Sequence, residues 1–411
     1  MAETPADLQI RPLGSDDDPE AQLDLAERAF GAMPAAQRDH RLRSLPGHTA
    51  AGRNLGAFVG RQPAAAASFH DMRQWWRGRP VPMAGVAGVM VAPEYRGRGI
   101  GRRLMTALLD EIDRRGYPLS ALFPATMPLY RSLGWELAGA RDTVVIPARS
   151  LRSLVPPDAA VSGAGSPPDP VLRRTGPADA EAVVAMLGRI HEAGRDCGPI
   201  TREPAMVAEW LASPDLYAYL ADDGFLAYQW HNGNRDLYVE RTEAISGQTV
   251  RAFWTHLGSY ASMAEKVYAR TGPASAFWWL GRERDADIEH RSRWMLRVVD
   301  APAAIAARGF PAATSLSVPL RIADDARPAN SGRWQLSVAG GTGTLEPLGP
   351  DAPAGPVSSA VTLGARGLAA LYAGTPLVTL RQAGLAIGGN PADHAALDAA
   401  FAATPYMLDA F

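Results

Sequence analysis

Residues 89–104 read Val89-Met90-Val91-Ala92-Pro93-Glu94-Tyr95-Arg96-Gly97-Arg98-Gly99-Ile100-Gly101-Arg102-Arg103-Leu104. An apolar run passes into a basic, glycine-rich turn and then into an amphipathic segment. Glycines at 97, 99 and 101 allow close backbone approach to a ligand and conformations closed to other residues. Where such a turn opens a helix, the first N–H groups point outward with the positive end of the helix dipole behind them, which makes an anion site. Arg96, Arg98, Arg102 and Arg103 add guanidinium groups that grip phosphate oxygens in pairs. The chemistry this pattern suits is pyrophosphate recognition. A P-loop needs a lysine after its last glycine, and the only lysine of the chain is Lys266. A dinucleotide fingerprint needs G-x-x-G spacing after the first strand of its unit, whereas here the glycines alternate and several strands come first.

The elements around this loop read as one α/β unit over 8–150. Strands are expected at 8–12, 57–59, 64–69, 86–91, 119–123 and 143–147, and helices at 19–30, 99–115 and 127–133. Leu104, Leu108, Leu109 and Ile112 share one face of the helix at 99–115. The order β-α-β-β-β-α-β-α-β implies a mixed sheet covered by helices. Pro156-Pro157, Gly163, Gly165 and Pro167-Pro168-Asp169-Pro170 mark a linker. Beyond it, 172–179 (LRRTGPAD) echoes 10–17 (IRPLGSDD), each followed by a helical pattern, which suggests a duplicated unit. The second copy lacks the glycine-rich loop and offers Ile245-Ser246-Gly247-Gln248-Thr249 before its helix. From about 295 a smaller α+β unit follows, with strands at 315–322, 333–339 and 361–363, a Gly340-Gly341 turn, and helices at 365–372 and 391–402.

The pattern Arg96-x-x-Gly99-x-Gly101 after V-x-V-A-P-E-Y resembles the coenzyme A loop of the GCN5-related N-acetyltransferases (GNAT fold). Leu129-Tyr130-Arg131-Ser132-Leu133-Gly134-Trp135 resembles that family's "LYxxxGF" segment. In order of parts, the whole chain resembles the enhanced intracellular survival (Eis) acetyltransferases. The resemblance implies an α/β (α+β) fold in three parts: an active GNAT domain (1–150), a degenerate GNAT-like domain (151–294) and a sterol-carrier-protein-like domain (295–411).

The resemblance also implies roles. Val89, Met90 and Val91 would pair with the pantetheine arm, and Arg96, Gly97, Arg98, Gly99, Ile100, Gly101 and Arg102 would cradle the pyrophosphate. Ala125 and Thr126 stand where the family touches the cofactor again, although Pro124-Ala125-Thr126-Met127-Pro128 replaces a more glycine-rich stretch. Tyr130 would protonate the departing thiolate of acetyl-CoA, a task within reach of a hydroxyl whose ordinary pKa is about 10; its residue type also suits a half-buried helix aromatic. The general base would be the C-terminal carboxylate of Phe411, carried by an apolar-rich tail at 405–411. Acceptors would be small-molecule amines, aminoglycosides among them, and the assembly a homo-oligomer of six chains.

Composition narrows the remainder. With 41 basic and 43 acidic residues the chain has no basic field for nucleic acid or anionic membrane. No stretch nears the ~18 apolar residues of a membrane span and no signal peptide is visible, so a cytoplasmic location is expected. Cys197 is the single cysteine, and the histidines show no metal spacing, so neither disulfide nor metal is expected. Glu27, Asp71, Glu94 and Asp409 are candidate acids for the acceptor cleft. Trp75-Trp76 and Trp278-Trp279, if on strands, would each turn one ring inward. The alternative to an enzyme is an acyl-CoA or lipid sensor that kept the loop and lost turnover.

Overall fold

The computed structural model describes residues 5–158, 170–349 and 360–411; Gly163, Gly165 and Pro167-Pro168-Asp169 of the expected linker lie outside them. The first region runs β1 (Leu8–Pro12), α1 (Pro19–Phe30), α2 (Ala35–Ala50), β2 (Asn54–Val59), β3 (Gln62–Trp76), β4 (Arg79–Val91), α3 (Ile100–Arg114), β5 (Leu119–Leu122), α4 (Met127–Arg131) and β6 (Glu136–Pro147). The periodic face of α3 is buried at Leu104, Leu108, Leu109 and Ile112. The helix α2 escapes a periodicity search because it carries few apolar residues and an internal Pro46-Gly47. β3 and β4 form a long hairpin whose Arg77-Gly78 corner is left-handed at both residues (φ +56° and +79°), the twist that suits a two-residue hairpin turn.

The second region runs β7 (Arg173–Thr175), α5 (Ala180–Ala193), β8 (Cys197–Thr201), α6 (Pro204–Leu211), β9 (Leu216–Ala221), β10 (Gly224–His231), β11 (Asp236–Ala244), α7 (Gly247–Gly258), β12 (Lys266–Thr271) and β13 (Asp287–Val298). The duplication is visible atom by atom at the two starts. Asp17 accepts from Arg11 Nη1 at 2.7 Å and from the Gly14 amide at 2.8 Å. Asp179 accepts from Arg173 Nη1 at 2.8 Å and from the Gly176 amide at 2.9 Å. The same R-x-x-G-x-x-D spacing folds the same turn twice.

The two units share one sheet, ordered β1-β2-β3-β4-β5-β13-β6-β12-β11-β10-β9-β7, with β8 on the free edge of β3. β13 comes late in the chain yet lies between β5 and β6 of the first unit, pairing Leu296 with Ala121 and with Glu136. The strand runs on through residues 294 and 295, with a bulge against β6 between them. Both faces of β3 are covered here, Trp75 by His191 of α5 and Trp76 by Trp294 and Tyr372, so both rings are buried rather than one facing outward. Trp278 and Trp279 sit in a short 3-10 turn, not on a strand.

The last region holds α8 (Ala301–Ala307), β14 (Leu316–Ala323), β15 (Gly332–Ala339), β16 (Thr342–Pro347), β17 (Val361–Gly364), α9 (Ala365–Tyr372), α10 (Leu377–Gln382), β18 (Ala386–Ile387) and α11 (Pro391–Phe401). Its sheet, ordered β16-β15-β14-β17-β18, is separate. Its core is not: Leu320, Leu371 and Tyr372 join one apolar cluster with Trp76 and Trp294 of the large sheet. A fully buried ion pair, Arg297 with Asp324 at 2.6 Å, bridges the same boundary. Arg308 is buried among the rings of Trp76, Phe310, Tyr372 and Phe401, each within 5.7 Å of its guanidinium carbon, where cation–π attraction offsets part of the desolvation cost. No helix of the described residues is long and apolar enough to cross a membrane.

Candidate active site

The site begins with a strand that loses its neighbour. β4 pairs with β5 only over Met83–Gly85 and Leu119–Ala121, so Val86–Val91 part from it and open a wedge in the sheet. On the other edge β4 stays paired with β3, through a bulge in which Ala66 faces Met90 while Ser68 faces Ala87. The extra residue is accommodated at Gly88, left-handed at φ +59°, and the bulge turns the end of β4 outward.

The loop then closes the wedge from below. Gly97 and Gly99 both sit at φ +76°, a region that costs other residues roughly 1–2 kcal/mol. Gly101 packs closely, since a Cβ there would stand 3.3 Å from Val91 Cγ2. No side chain caps α3, so its first N–H groups are left for a ligand. Arg96 donates from Nε to the Val91 carbonyl at 3.2 Å and from Nη2 to the Ala29 carbonyl at 3.4 Å, and thus braces the loop against α1.

Val89, Met90, Val91, Arg96, Gly97, Gly99, Ile100, Gly101, Ala125, Thr126 and Tyr130 line one cavity of about 390 Å³. Arg98 and Arg102 stand outside its lining, Arg98 with its guanidinium 5.6 Å from the Tyr95 ring. The cavity also takes in Ala29, Phe30, Tyr95 and Leu129. Sequence alone does not bring the end of α1 here, because Phe30 is separated from the loop by one helix and three strands. Glycine backbone, an uncapped helix and an apolar wedge suit a pyrophosphate joined to a pantetheine arm, so the residues present fit coenzyme A.

Tyr130 lies on α4, buried, its ring edge-on to Trp135 with centroids 6.4 Å apart. Burial pushes its hydroxyl above the ordinary tyrosine range. Gly134, left-handed at φ +92°, turns the chain after the helix, where a Cβ would meet Ala365 at 2.7 Å and Arg297 at 2.8 Å. Glu136 takes Arg131 at 2.8 Å and Arg366 of α9 at 2.6 Å. The C-terminal region therefore buttresses the segment that carries Tyr130.

The tail after α11 returns to the large sheet. Pro405 O accepts from the Ala140 amide at 3.3 Å, and the Tyr406 amide donates to Cys197 O at 3.0 Å. Arg141 holds Leu408 O at 3.1 Å and Arg202 holds Ala410 O at 2.6 Å. Room for this path comes from three glycines: a Cβ at Gly139 would stand 2.5 Å from Pro405 O, at Gly198 2.4 Å from Tyr406 O, and at Gly272 2.9 Å from the Tyr406 ring. Met407 and Leu408 are buried. The Phe411 ring ends against Phe123 just beyond β5, and a Cβ at Gly85 would approach it to 2.9 Å.

The candidate acids do not gather. Glu94 pairs with Arg28, Glu27 with Arg38 at 3.7 Å and Asp71 with Arg53 at 3.6 Å. Asp409 is gripped by Arg241 and lies 3.3 Å from Arg202. Burial works to raise the Asp409 carboxyl, and Arg241 and Arg202 outweigh it, holding it below the usual range. Among the described residues no His/Cys/Asp/Glu group could hold a metal ion.

The second unit repeats the wedge without its anion site. β11 pairs with β12 only over Asp236–Val239 and Lys266–Ala269, then diverges. At the start of α7, Ser246 caps Thr249 N. The Asp223 carboxylate takes the Ser246 amide at 2.9 Å and the Thr249 hydroxyl. A built-in negative charge fills the place where the first unit leaves its N–H groups open.

A splayed sheet, a glycine-braced helix start and a buried tyrosine beside them define a coenzyme A-dependent acetyltransferase of the GNAT class. The acetyltransferase (GNAT) domain family matches residues 9–138, a second acetyltransferase (GNAT) family matches 198–298, and the sterol carrier protein domain family matches 301–408. A GCN5-related N-acetyltransferase from Kribbella flavida is 43% identical, covers 98% of both chains and superposes with a TM-score of 0.89. A GCN5-related N-acetyltransferase from Anabaena variabilis is 25% identical over 98% of this chain and 100% of its own, with a TM-score of 0.84. N-acetyltransferase Eis of Mycobacterium tuberculosis is 27% identical over 301 residues, 71% of this chain and 73% of its own. The chain belongs to the GCN5-related N-acetyltransferases, in the Eis-like arrangement of two such domains and a sterol-carrier-protein domain.

Proposed function

We propose that the protein transfers an acetyl group from acetyl-CoA directly to a small-molecule amine, with Tyr130 as general acid and the Phe411 carboxylate as general base. The observation that carries this reading is the path of the tail: ten residues beyond α11 lead Phe411 to Gly85 and Phe123, where β4 and β5 begin to part. The loop at 96–101 binds the pyrophosphate, and the edge of β4 at Val89–Val91 that β5 leaves faces the pantetheine amides. The Phe411 carboxylate takes a proton from the acceptor ammonium, directly or through water, and frees the amine to attack the thioester carbonyl. The C–S bond then breaks, Tyr130 gives its proton to the leaving sulfur, and the resulting phenolate recovers a proton, directly or through water, from the protonated nitrogen of the new amide. Burial of Tyr130 suits this role, since it keeps the hydroxyl protonated.

The acceptor supported here is an amine of low positive charge rather than a polycation such as an aminoglycoside. A cavity of about 230 Å³ beside Ala410 is lined by Arg202, Arg241 and Arg270 as well as Glu240 and Asp409, whose charges pair with one another or with Glu243, so it holds no surplus of carboxylates for a polycation. Incubation with acetyl-CoA and a panel of mono- and polyamines, read by thiol release, tests both points. No thiol release with any amine would reject the transferase reading, and preference for the polyamines would reject the acceptor class. The Eis resemblance further supports a hexamer, which light scattering would show as six times the chain mass.

A further inference from the structure

The wedge of the second unit, closed to pyrophosphate by Asp223, is not filled. Between the diverging ends of β11 and β12 lies a cavity of about 450 Å³, within the size range of small-ligand pockets. Its acids are committed: Glu243 to Arg241, and Asp196 to His191 Nδ1 and the Tyr406 hydroxyl, both at 2.9 Å. What remains uncommitted in its walls is a set of donors. The Nε of Arg77 and the hydroxyls of Thr242 and Thr271 are buried and have no hydrogen-bond partner, and Thr271 is 3% exposed. Arg77 and Arg195 both line the cavity, and among the described residues neither has a carboxylate at ion-pair distance. Trp254, Val250 and Leu408 supply an apolar wall.

Buried donors without acceptors cost stability, and cations beside an apolar chamber call for an anion that brings its own apolar body. We infer that this second cleft binds an amphiphilic carboxylate, its head on Arg77, Arg195 and Thr271 and its chain against Trp254. Tyr406 and Leu408 of the tail border the same space, so a bound carboxylate steadies the arm that ends at Phe411.

The test titrates hexanoate into the full chain by calorimetry, with hexylamine and inorganic phosphate as comparison probes and coenzyme A as a report on the first cleft. Hexanoate is expected to bind more tightly than either comparison probe. Its Kd is expected to rise about tenfold in Arg77→Gln and in Thr271→Val, the loss of one charge-assisted or buried hydrogen bond, with coenzyme A affinity unchanged. Saturating hexanoate is expected to slow release of Phe411 by carboxypeptidase. Absence of hexanoate binding at about 10 mM, equal binding of hexylamine or phosphate, or a hexanoate affinity unmoved in both variants overturns the site. An unchanged rate of Phe411 release overturns the link to the tail.

Discussion

The ring of Phe411 stands edge-on to that of Phe123, centroids 6.0 Å apart and planes at 68°. The last residue of the chain is thereby lodged beside β5 of the first unit, with Arg141 stacked 5.3 Å over the other ring. Moving the carboxylate while keeping this contact separates chemistry from packing. Extension of the chain by one glycine after Phe411 is expected to lower kcat by about 10²-fold or more and to leave coenzyme A affinity unchanged, whereas deletion of Phe411 removes the carboxylate and the ring together. Near-normal turnover of the extended chain would remove Phe411 from the mechanism.

Tyr130→Phe is expected to lower kcat by roughly 10²–10⁴-fold with little change in coenzyme A binding. Burial holds the Tyr130 hydroxyl above its ordinary value, so the proton it donates stays in place through alkaline pH. The pH profile of kcat is therefore expected to show no alkaline loss assignable to this group below about pH 10. A loss at pH 8–9 that disappears in the phenylalanine variant would contradict the assignment.

The tail path makes a separate prediction. Gly139 is not left-handed, and a Cβ there would stand 2.5 Å from Pro405 O and 2.8 Å from Trp294, so Gly139→Ala forces the tail or the indole aside. The expected cost is about 1–3 kcal/mol of stability, read by denaturant titration. A larger proportional loss of turnover than of coenzyme A binding is also expected, because the displaced element carries Phe411.

Asp409 supplies the pH dependence of docking. Its carboxyl is held below the usual carboxylate range by Arg241 and Arg202, against the effect of burial. The stabilisation is thus fully present above the unfolded value of about 3.9 and is lost as pH falls through the lower folded value. Carboxypeptidase release of Phe411 is expected to be flat from neutral pH down to about 4. In Asp409→Asn release is expected to be fast at neutral pH. The variant leaves Arg241 with Glu243 alone, a loss of about 1–3 kcal/mol measurable as a lower Tm.

Gly97→Ala and Gly99→Ala place a Cβ on residues at φ +76°. The strain of roughly 1–2 kcal/mol is expected to raise the coenzyme A Kd about 5–30-fold with less effect on global stability, since both residues are exposed. Unchanged coenzyme A affinity in both would show that the loop does not bear on the cofactor.

The cofactor loop was legible because its requirements are local. Glycines at fixed spacing, a following amphipathic helix and nearby arginines act within sixteen consecutive residues, and α3 buries the face that periodicity assigns to it. The R-x-x-G-x-x-D turn repeated at Arg11–Asp17 and Arg173–Asp179 was legible for the same reason, as each aspartate bonds only to residues three and six positions back. Even the suspicion that an apolar tail does not float free follows from Tyr406, Met407 and Leu408. Tertiary structure alone decided what these pieces meet. Nothing in the sequence near β5 says that β13, more than 160 residues later, pairs with it, because strand partners are chosen by burial across the whole sheet. Nothing near Gly139, Gly198 or Gly272 says that their missing side chains make one channel for residues 405–406. The ion pairs that occupy Glu27, Asp71, Glu94 and Asp409 likewise depend on partners from distant elements. Local backbone geometry can be read from neighbouring residues, whereas the charge and shape of the acceptor side are sums over segments that only folding brings together.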